Sequence, residues 1–444
     1  MAQPDMPPLP PKPASPPLSE GTSSAVLATA LVEATPPAEY PSMSSTGRPD
    51  DEFHKAGFAN DIVVVKEMRG EERHLHFSDF EVVFDKKVRA GRGRSLYTVD
   101  SAVRIYVNGM LQPQFFLQVQ PDGYCSFPDG SRQPPSRGVK ALTLVPGVNS
   151  IRFEIKFQGD RRVLVAECFA FLMEKTDPMV VVDIDGTITK SDVPGLVMTL
   201  SPGTLDHTQP GICKLLNDVA EEGAQFLYLT SRPIVLAPKT RAFLMNLRQD
   251  GMLLPLGPLI TCKSNVASVM YREIVSKDMH EYKEAALLEV SMPFRRAGLP
   301  TSTSVFAAGI GNRSTDAQAY LAAGIPKNFI FIIDTSSRIR GGRKRLLLRK
   351  GDQEDGSPAT GDTATGSDDQ AHHYDTYRDA RFVAALRESL LQVESSRVDK
   401  DDGGRQHTGD RDNDREGGDE KATAAIVEEQ LAVLQLPLPP DLLS

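Results

Sequence analysis

The period of the apolar positions changes near residue 175 and divides the chain there. From Asp61 to Met173 they come in short β-branched or aromatic runs with much alternation: DIVVVKE, HLHFSDFEVVF, AVRIYVNG, FFLQVQ, ALTLV, SIRFEIKF and RVLVAECFAFLM. Turn signals such as RGEER, NGM, PDG and PGVN separate the runs. Seven strands in this span predict a β-sandwich. Beyond Lys175, strand-like runs alternate with apolar residues at helical spacing: VVVDI, ICKLLNDVAEEG, QFLYLTSRP, APKTRAFLMNLRQDG, GPLITCK, a helical stretch from Val266 to Leu288, SVFAAGIG, AQAYLAAGIP and NFIFIID. That alternation predicts a parallel sheet with helices on both faces.

The flanks read differently. Residues 1–58 are rich in Pro, Ser, Thr and Ala, and such a composition buries too little apolar surface to offset its ordering entropy. Within them, Ala25–Ala34 reads either as a transient helix or as an apolar piece of tail. YDTYRDARFVAALRESLLQVE, Tyr374–Glu394, predicts an amphipathic helix with Phe382, Leu386, Leu390 and Val393 on one stripe. The expected organisation is a disordered tail over 1–58, a β-sandwich over 59–174 and an α/β domain over 175–340. A basic, then acidic, low-complexity insert over 341–371 follows, then a docking helix over 372–396. An acidic disordered tail, 397–444, carries a short helix at about Ala422–Leu436.

Composition narrows the classes. The 444 residues carry a formal net charge of −9. Nineteen acidic against eight basic residues between Gly351 and Glu420 leave about +2 on the rest, so the folded part is close to neutral. Two basic clusters stand out. Lys86–Arg94 reads as a solvated hairpin loop or a contact for anionic lipid headgroups. Residues 338–350 read as a solvated face, a nuclear localisation patch or an anionic-membrane contact. The four cysteines lie singly, which argues against a disulfide framework or a zinc site and fits a reducing compartment. No apolar run reaches the length of a membrane span, and the start lacks a basic-then-apolar signal pattern.

Candidate chemistry centres on VVVDIDGTITKSD, Val180–Asp192. A buried strand leads into Asp183 and Asp185, and a Gly-Thr pair breaks it at the strand end where α/β sheets bind ligands. Two carboxylates so close need a cation or a shared proton. The second strand ends in Thr230-Ser231-Arg232, hydroxyls and a guanidinium suited to phosphoryl oxygens. VFAAGIG ends in Asn312-Arg313-Ser314-Thr315-Asp316, an amide oxygen and a carboxylate of the hard-oxygen kind that magnesium takes. Lys277 and Lys283 are candidate charge neutralisers.

In this order, D-x-D-G-T, a strand-end Thr, a helix-borne Lys and G-N-x-x-x-D resemble the four motifs of the haloacid-dehalogenase-like phosphatase superfamily. More closely, DIDGTITKSD, FLYLTSRP, GPLI, YREIV and FAAGIGNRSTDAQAYLAAGIPKNFIFIID resemble the catalytic domain of lipins, the magnesium-dependent phosphatidate phosphatases. DIVVVKE, FSDFEVVFDK and VRIYVNG resemble the lipin amino-terminal region, and GVNSIRFEI and AECFAFLME the lead-in to the catalytic domain. The resemblance spans about residues 60–340. It implies a Rossmann-like haloacid-dehalogenase parallel sheet preceded by an immunoglobulin-like β-sandwich, in a compact form that joins the halves through Gly130–Val148. It further implies Asp183 as nucleophile, Asp185 as general acid and base, Thr230 bonded to the transferring phosphoryl group and Lys283 neutralising charge. Gly186, Thr187, Ser231, Arg232 and Arg313 would surround the phosphate. Magnesium would be held by Asp183, the Asp185 carbonyl, and Asn312 or Asp316.

The implied activity is hydrolysis of phosphatidic acid to diacylglycerol in glycerolipid synthesis, peripherally on an anionic membrane surface. The implied location is the cytoplasmic side of the endoplasmic reticulum or nuclear membrane, or the nucleus, with no direct nucleic-acid binding and with regulatory partners on the tails. A non-catalytic phosphatidate sensor and a phosphatase for soluble phosphoesters are the alternatives. DDEFHKAGFAN shows no amphipathic helix where lipins carry one, and Pro194 and Leu196 depart from residues usual after the first motif.

Overall fold

The computed structural model describes residues 51–85, 101–139, 142–157, 161–190, 207–263, 279–343 and 371–401. Their first half is strand: β1 (Glu52–Lys55), β2 (Gly57–Ala59), β3 (Ile62–Arg69), β4 (Glu72–Phe77), β5 (Val82–Phe84), β6 (Ala102–Val107), β7 (Met110–Val119), β8 (Cys125–Ser126), β9 (Gly147–Lys156) and β10 (Arg162–Glu174). Eight of these form one sheet in the order β4-β3-β10-β9-β6-β7-β8, with β1 also on β10. β10 is its spine, antiparallel to β9 and parallel to β1 along its first half and β3 along its second. Its run is apolar at nearly every position because both faces are covered. Leu164, Ala166, Cys168 and Ala170 join a core with the β2–β5 pair. Phe169, Phe171 and Met173 join a different core on the opposite face.

The second half alternates: β11 (Met179–Asp183), α1 (Ile212–Ala220), β12 (Gln225–Pro233), α2 (Ala237–Asn246), a short β13–β14 pair (Arg248–Gln249 and Met252–Leu253), β15 (Leu259–Cys262), α3 (Met279–Arg296), β16 (Phe306–Gly311), α4 (Ser314–Ala322), β17 (Ile330–Ile333), β18 (Ile339–Arg343), β19 (Ala371–Tyr374) and α5 (Ala380–Asp401). The sheet order is β15-β12-β11-β16-β17-β18-β19. Its first five strands are parallel, and β18 and β19 are antiparallel additions. Strand alternation sends Val180 and Val182 of β11 to a core with α1 and α5. Met179 and Val181 face a core with α3, and α3 also packs on β3 and β4, so one helix lies between the two sheets.

Several expectations change. The ordered chain begins before residue 59, because β1 lengthens the sheet along β10 and Ala56 and Ala59 are buried beside β5. HLHFSDFEVVF is two strands, since β5 leaves the main sheet to pair with β2. ALTLV forms no strand in its described part, yet Leu142 and Leu144 are buried. Ile339–Arg343, at the start of the second basic cluster, is strand β18, with Ile339 buried in the core and Arg338 and Arg340 exposed. α5 starts at Ala380 because Tyr374 belongs to β19, and the Asp379 carboxylate accepts the Arg381 N–H at 2.9 Å. It continues to Asp401, beyond the expected end at 396. Ala25–Ala34, Lys86–Arg94, Pro194, Leu196, Lys277, 344–370 and the helix at 422–436 lie outside the described residues. Among the described residues no helix is long and apolar enough to cross a membrane.

Candidate active site

Asp183 is the last residue of β11, and the alternation that turns Met179 and Val181 toward α3 turns Asp183 the same way. It meets Lys283 of α3 there. Lys283 Nζ lies 2.6 Å from Asp183 Oδ1 and 2.6 Å from Asp316 Oδ1, and all three side chains are buried. Asp183 Oδ2 accepts the Thr187 hydroxyl at 3.0 Å. Asp316 Oδ2 accepts the backbone N–H groups of Asn312 and Arg313, each at 2.9 Å, so the residue that reaches Lys283 also caps α4. Gly311 makes this approach possible: a Cβ there would stand 2.6 Å from the Asp316 Cβ.

Burial, with the Asp316 and Asp185 carboxylates nearby, raises Asp183 to about 7 against the pull of Lys283. Burial acts on Asp316 too, but Lys283 and the two amides hold it below its ordinary value. Burial opposes the charge on Lys283, yet the two carboxylates keep it firmly protonated.

Asp185 stands past the strand end, where the chain turns through Gly186 at φ 84°. Thr230 Oγ1 donates to Asp185 Oδ2 at 3.0 Å, and Arg232 grips both oxygens, Nε lying 3.0 Å from Oδ2. Arg232 Nη1 also donates to Thr240 of α2. Thr230 and Arg232, suggested for phosphoryl oxygens by sequence, are thus directed at Asp185 in this structure. Ser231 is half-buried on β12, Asn312 is half-buried and Arg313 is exposed where α4 begins. The structure therefore brings two bonded groups to these strand ends, Asp183 with Thr187, Lys283 and Asp316, and Asp185 with Thr230 and Arg232.

Residues with no motif signal complete the site. Gln209 Nε2 donates to the Gly186 carbonyl at 3.4 Å, and the Tyr377 hydroxyl donates to the Thr187 carbonyl at 3.0 Å. Only the apolar stripe around Tyr377 hinted that its segment returns here. A separate acidic group, Asp79, Glu81 and Glu289, places carboxylate oxygens within 4.8 Å of one another. Lys263 Nζ already stands 2.7 Å from Glu81 and 2.6 Å from Glu289, so a side-chain cation bridges this group.

Fold and site together define an α/β domain with a carboxylate–ammonium cluster at its parallel strand ends. Residues 130–349 match the family described as LNS2 (Lipin/Ned1/Smp2); the chain carries an LNS2 domain and belongs through it to the lipin family. Over 213 residues the chain is 37% identical to phosphatidate phosphatase PAH1 of Arabidopsis thaliana, covering 48% of this chain and 22% of that protein. It is 35% identical over 213 residues to nuclear elongation and deformation protein 1 of Schizosaccharomyces pombe, covering 48% and 31%. To phosphatidate phosphatase LPIN1 of Homo sapiens it is 33% identical over 207 residues, covering 46% and 22%. The chain thus spans between about a fifth and a third of the length of these relatives.

Proposed function

We propose that the chain is a phosphatidate phosphatase, hydrolysing phosphatidic acid to diacylglycerol and phosphate through an aspartyl-phosphate. The observation that carries this is Lys283 shared at 2.6 Å between Asp183 and Asp316, with Asp185 held two residues beyond Asp183. Relatives named phosphatidate phosphatase support the substrate. The finer fold reading is a haloacid-dehalogenase-like domain joined to an immunoglobulin-like sandwich.

In this reading Asp183 attacks phosphorus, the bond from phosphorus to the glycerol oxygen breaks, and Asp185 gives that oxygen its proton. Water then attacks the phosphorus of the acyl-phosphate and Asp185 takes the water's proton. The Asp183 carboxylate is restored and phosphate leaves. Lys283 and Thr187 hold one Asp183 oxygen each and so fix the nucleophile's orientation. Arg232 and Thr230 fix Asp185.

The donor set suits magnesium. It is all oxygen, carboxylate, amide and backbone carbonyl, the hard ligands that this ion takes. Asp183, the Asp185 carbonyl, and Asn312 or Asp316 would hold it, and when bound it withdraws charge from a phosphoryl oxygen. Membrane contact is peripheral in this reading, on the cytoplasmic face of the endoplasmic reticulum or nuclear membrane.

The test is phosphate release from phosphatidic acid in mixed micelles with magnesium. Wild type turns over; Asp183→Asn lowers kcat by roughly 10³-fold or more, and Asp185→Asn by about 10²–10⁴-fold. A folded wild-type chain that releases no phosphate overturns the reading. Faster turnover of a soluble sugar phosphate moves the substrate to that class.

A further inference from the structure

Residues 371–401 lie outside the matched family segment, yet they reach the loop that carries Asp183 and Asp185. That loop is tight: the N–H groups of Thr187, Ile188 and Thr189 all converge on the Ile184 carbonyl, and Gly186 N–H donates to Thr189 Oγ1. The Thr187 carbonyl, facing out of this turn, accepts the Tyr377 hydroxyl at 3.0 Å. Thr187 in turn donates its own hydroxyl to Asp183 Oδ2 at 3.0 Å. One residue therefore receives a hydrogen bond from Tyr377 at its carbonyl and passes one to Asp183 from its side chain.

Tyr377 is well placed to hold such a position. It is 1% exposed, and its ring lies stacked on Phe382 with centroids 6.1 Å apart at 26°. Phe382 packs edge-on against Phe331 of β17, which ties the ring to the parallel sheet. Burial, reinforced by the Asp183 carboxylate, keeps the phenol protonated and thus a donor. Without that hydroxyl, the Thr187 carbonyl would be left without this partner in a buried setting, which costs more than the bond's net contribution.

We propose that Tyr377 is a positioning residue for Asp183, acting through Thr187, so that the segment following the LNS2 domain completes the active site from behind. The proposal rests on the phosphatase reading for its catalytic consequence. It concerns orientation only, since Tyr377 touches neither substrate nor the reacting atoms.

The experiment compares the full chain as wild type, Tyr377→Phe, Thr187→Val and the double variant. Three measurements are made: turnover of dioctanoyl phosphatidic acid with magnesium, backbone amide exchange without substrate, and thermal unfolding. Tyr377→Phe is expected to lower kcat about tenfold at unchanged KM, with the chain still fully folded at the assay temperature. The amides of residues 187–189 exchange about tenfold faster, while those of α5 do not change. In the Thr187→Val background, Tyr377→Phe causes no further loss of kcat. A Tyr377→Phe chain with wild-type kcat, or one whose lost activity is accounted for by unfolding at the assay temperature, overturns the proposal. A wild type without turnover overturns the phosphatase reading instead. The exchange rates then decide Tyr377 alone, faster exchange at 187–189 supporting it and unchanged exchange overturning it.

Discussion

Lys283 neutralises two buried carboxylates at once, which makes it both the most exacting residue of the site and a large contributor to the local fold. Lys283→Met keeps most of the volume but leaves Asp183 and Asp316 without their shared cation; breaking a buried pair in this way costs about 3–5 kcal/mol. Urea unfolding is expected to register that loss, together with loss of phosphate release. Glu289, on the same helix, gives a pH test. Burial, with Glu81 and Asp79 close by, raises its carboxyl from 4.5 to about 7 against the pull of Lys263. Its folded pKa lies above the unfolded one, so the folded state binds the proton more tightly and this contribution is lost as pH rises from about 4.5 through about 7. Thermal unfolding at pH 5 and pH 8 is expected to show wild type losing stability relative to Glu289→Gln across that window. At this scale Asp183, Asp185 and Asp316 were legible in sequence from strand-end spacing. The choice of Lys283 was less so, because Lys277 and Lys283 look alike until α3 is laid against β11.

Among the elements, β18, β19 and α5 show how composition conceals structure. Ile339–Arg343 reads as a basic cluster, but a strand needs only alternate residues apolar on its buried face, and Ile339 meets that need. α5 was visible as a stripe, and Phe382, Leu386, Leu390 and Val393 are indeed buried. What the stripe could not reveal is its partner, the face of β16 that carries Ala308 and Ile310, beside α1. Phe382→Ala removes a side chain packed on Phe331, Tyr374 and Tyr377, and an aromatic truncation of this kind costs about 3–5 kcal/mol. Denaturant titration is expected to find that loss. ALTLV misled in the other direction, since Leu142 and Leu144 fill the β-core from an irregular segment and burial alone imitates a strand in sequence.

Across the whole molecule, the matched segment is not a self-contained body. It begins at residue 130, so β9 and β10 fall inside it while their partners β3 and β6 fall outside. The two parts are also clipped together. Asn60 pairs its side-chain amide with the N–H and carbonyl of Thr261, imitating a further strand on the edge of β15. Asp61, 1% exposed, pairs with Arg241 of α2 at 2.8 Å and accepts the N–H groups of Phe169 and Leu259. Residues 130–349 expressed alone would present unpaired strand edges and the uncovered apolar faces of β10. That fragment is expected to aggregate or to lack a cooperative melting transition, whereas residues 51–401 melt cooperatively; calorimetry compares the two.

By itself the sequence determined what depends on neighbours along the chain: the switch of period near residue 175, the strand that ends in Asp183, the Gly turn before Thr187 and the apolar stripe of α5. These follow from residue spacing, because strand and helix periods are local properties of the backbone. Only the tertiary structure decided what depends on distant partners: that Lys283 is shared between Asp183 and Asp316, that Arg232 holds Asp185, how β10 comes to be covered on both faces, and that Tyr377 reaches Thr187 across 190 positions. Such contacts are chosen by packing of whole elements, and a single chain read in order carries no local mark of them.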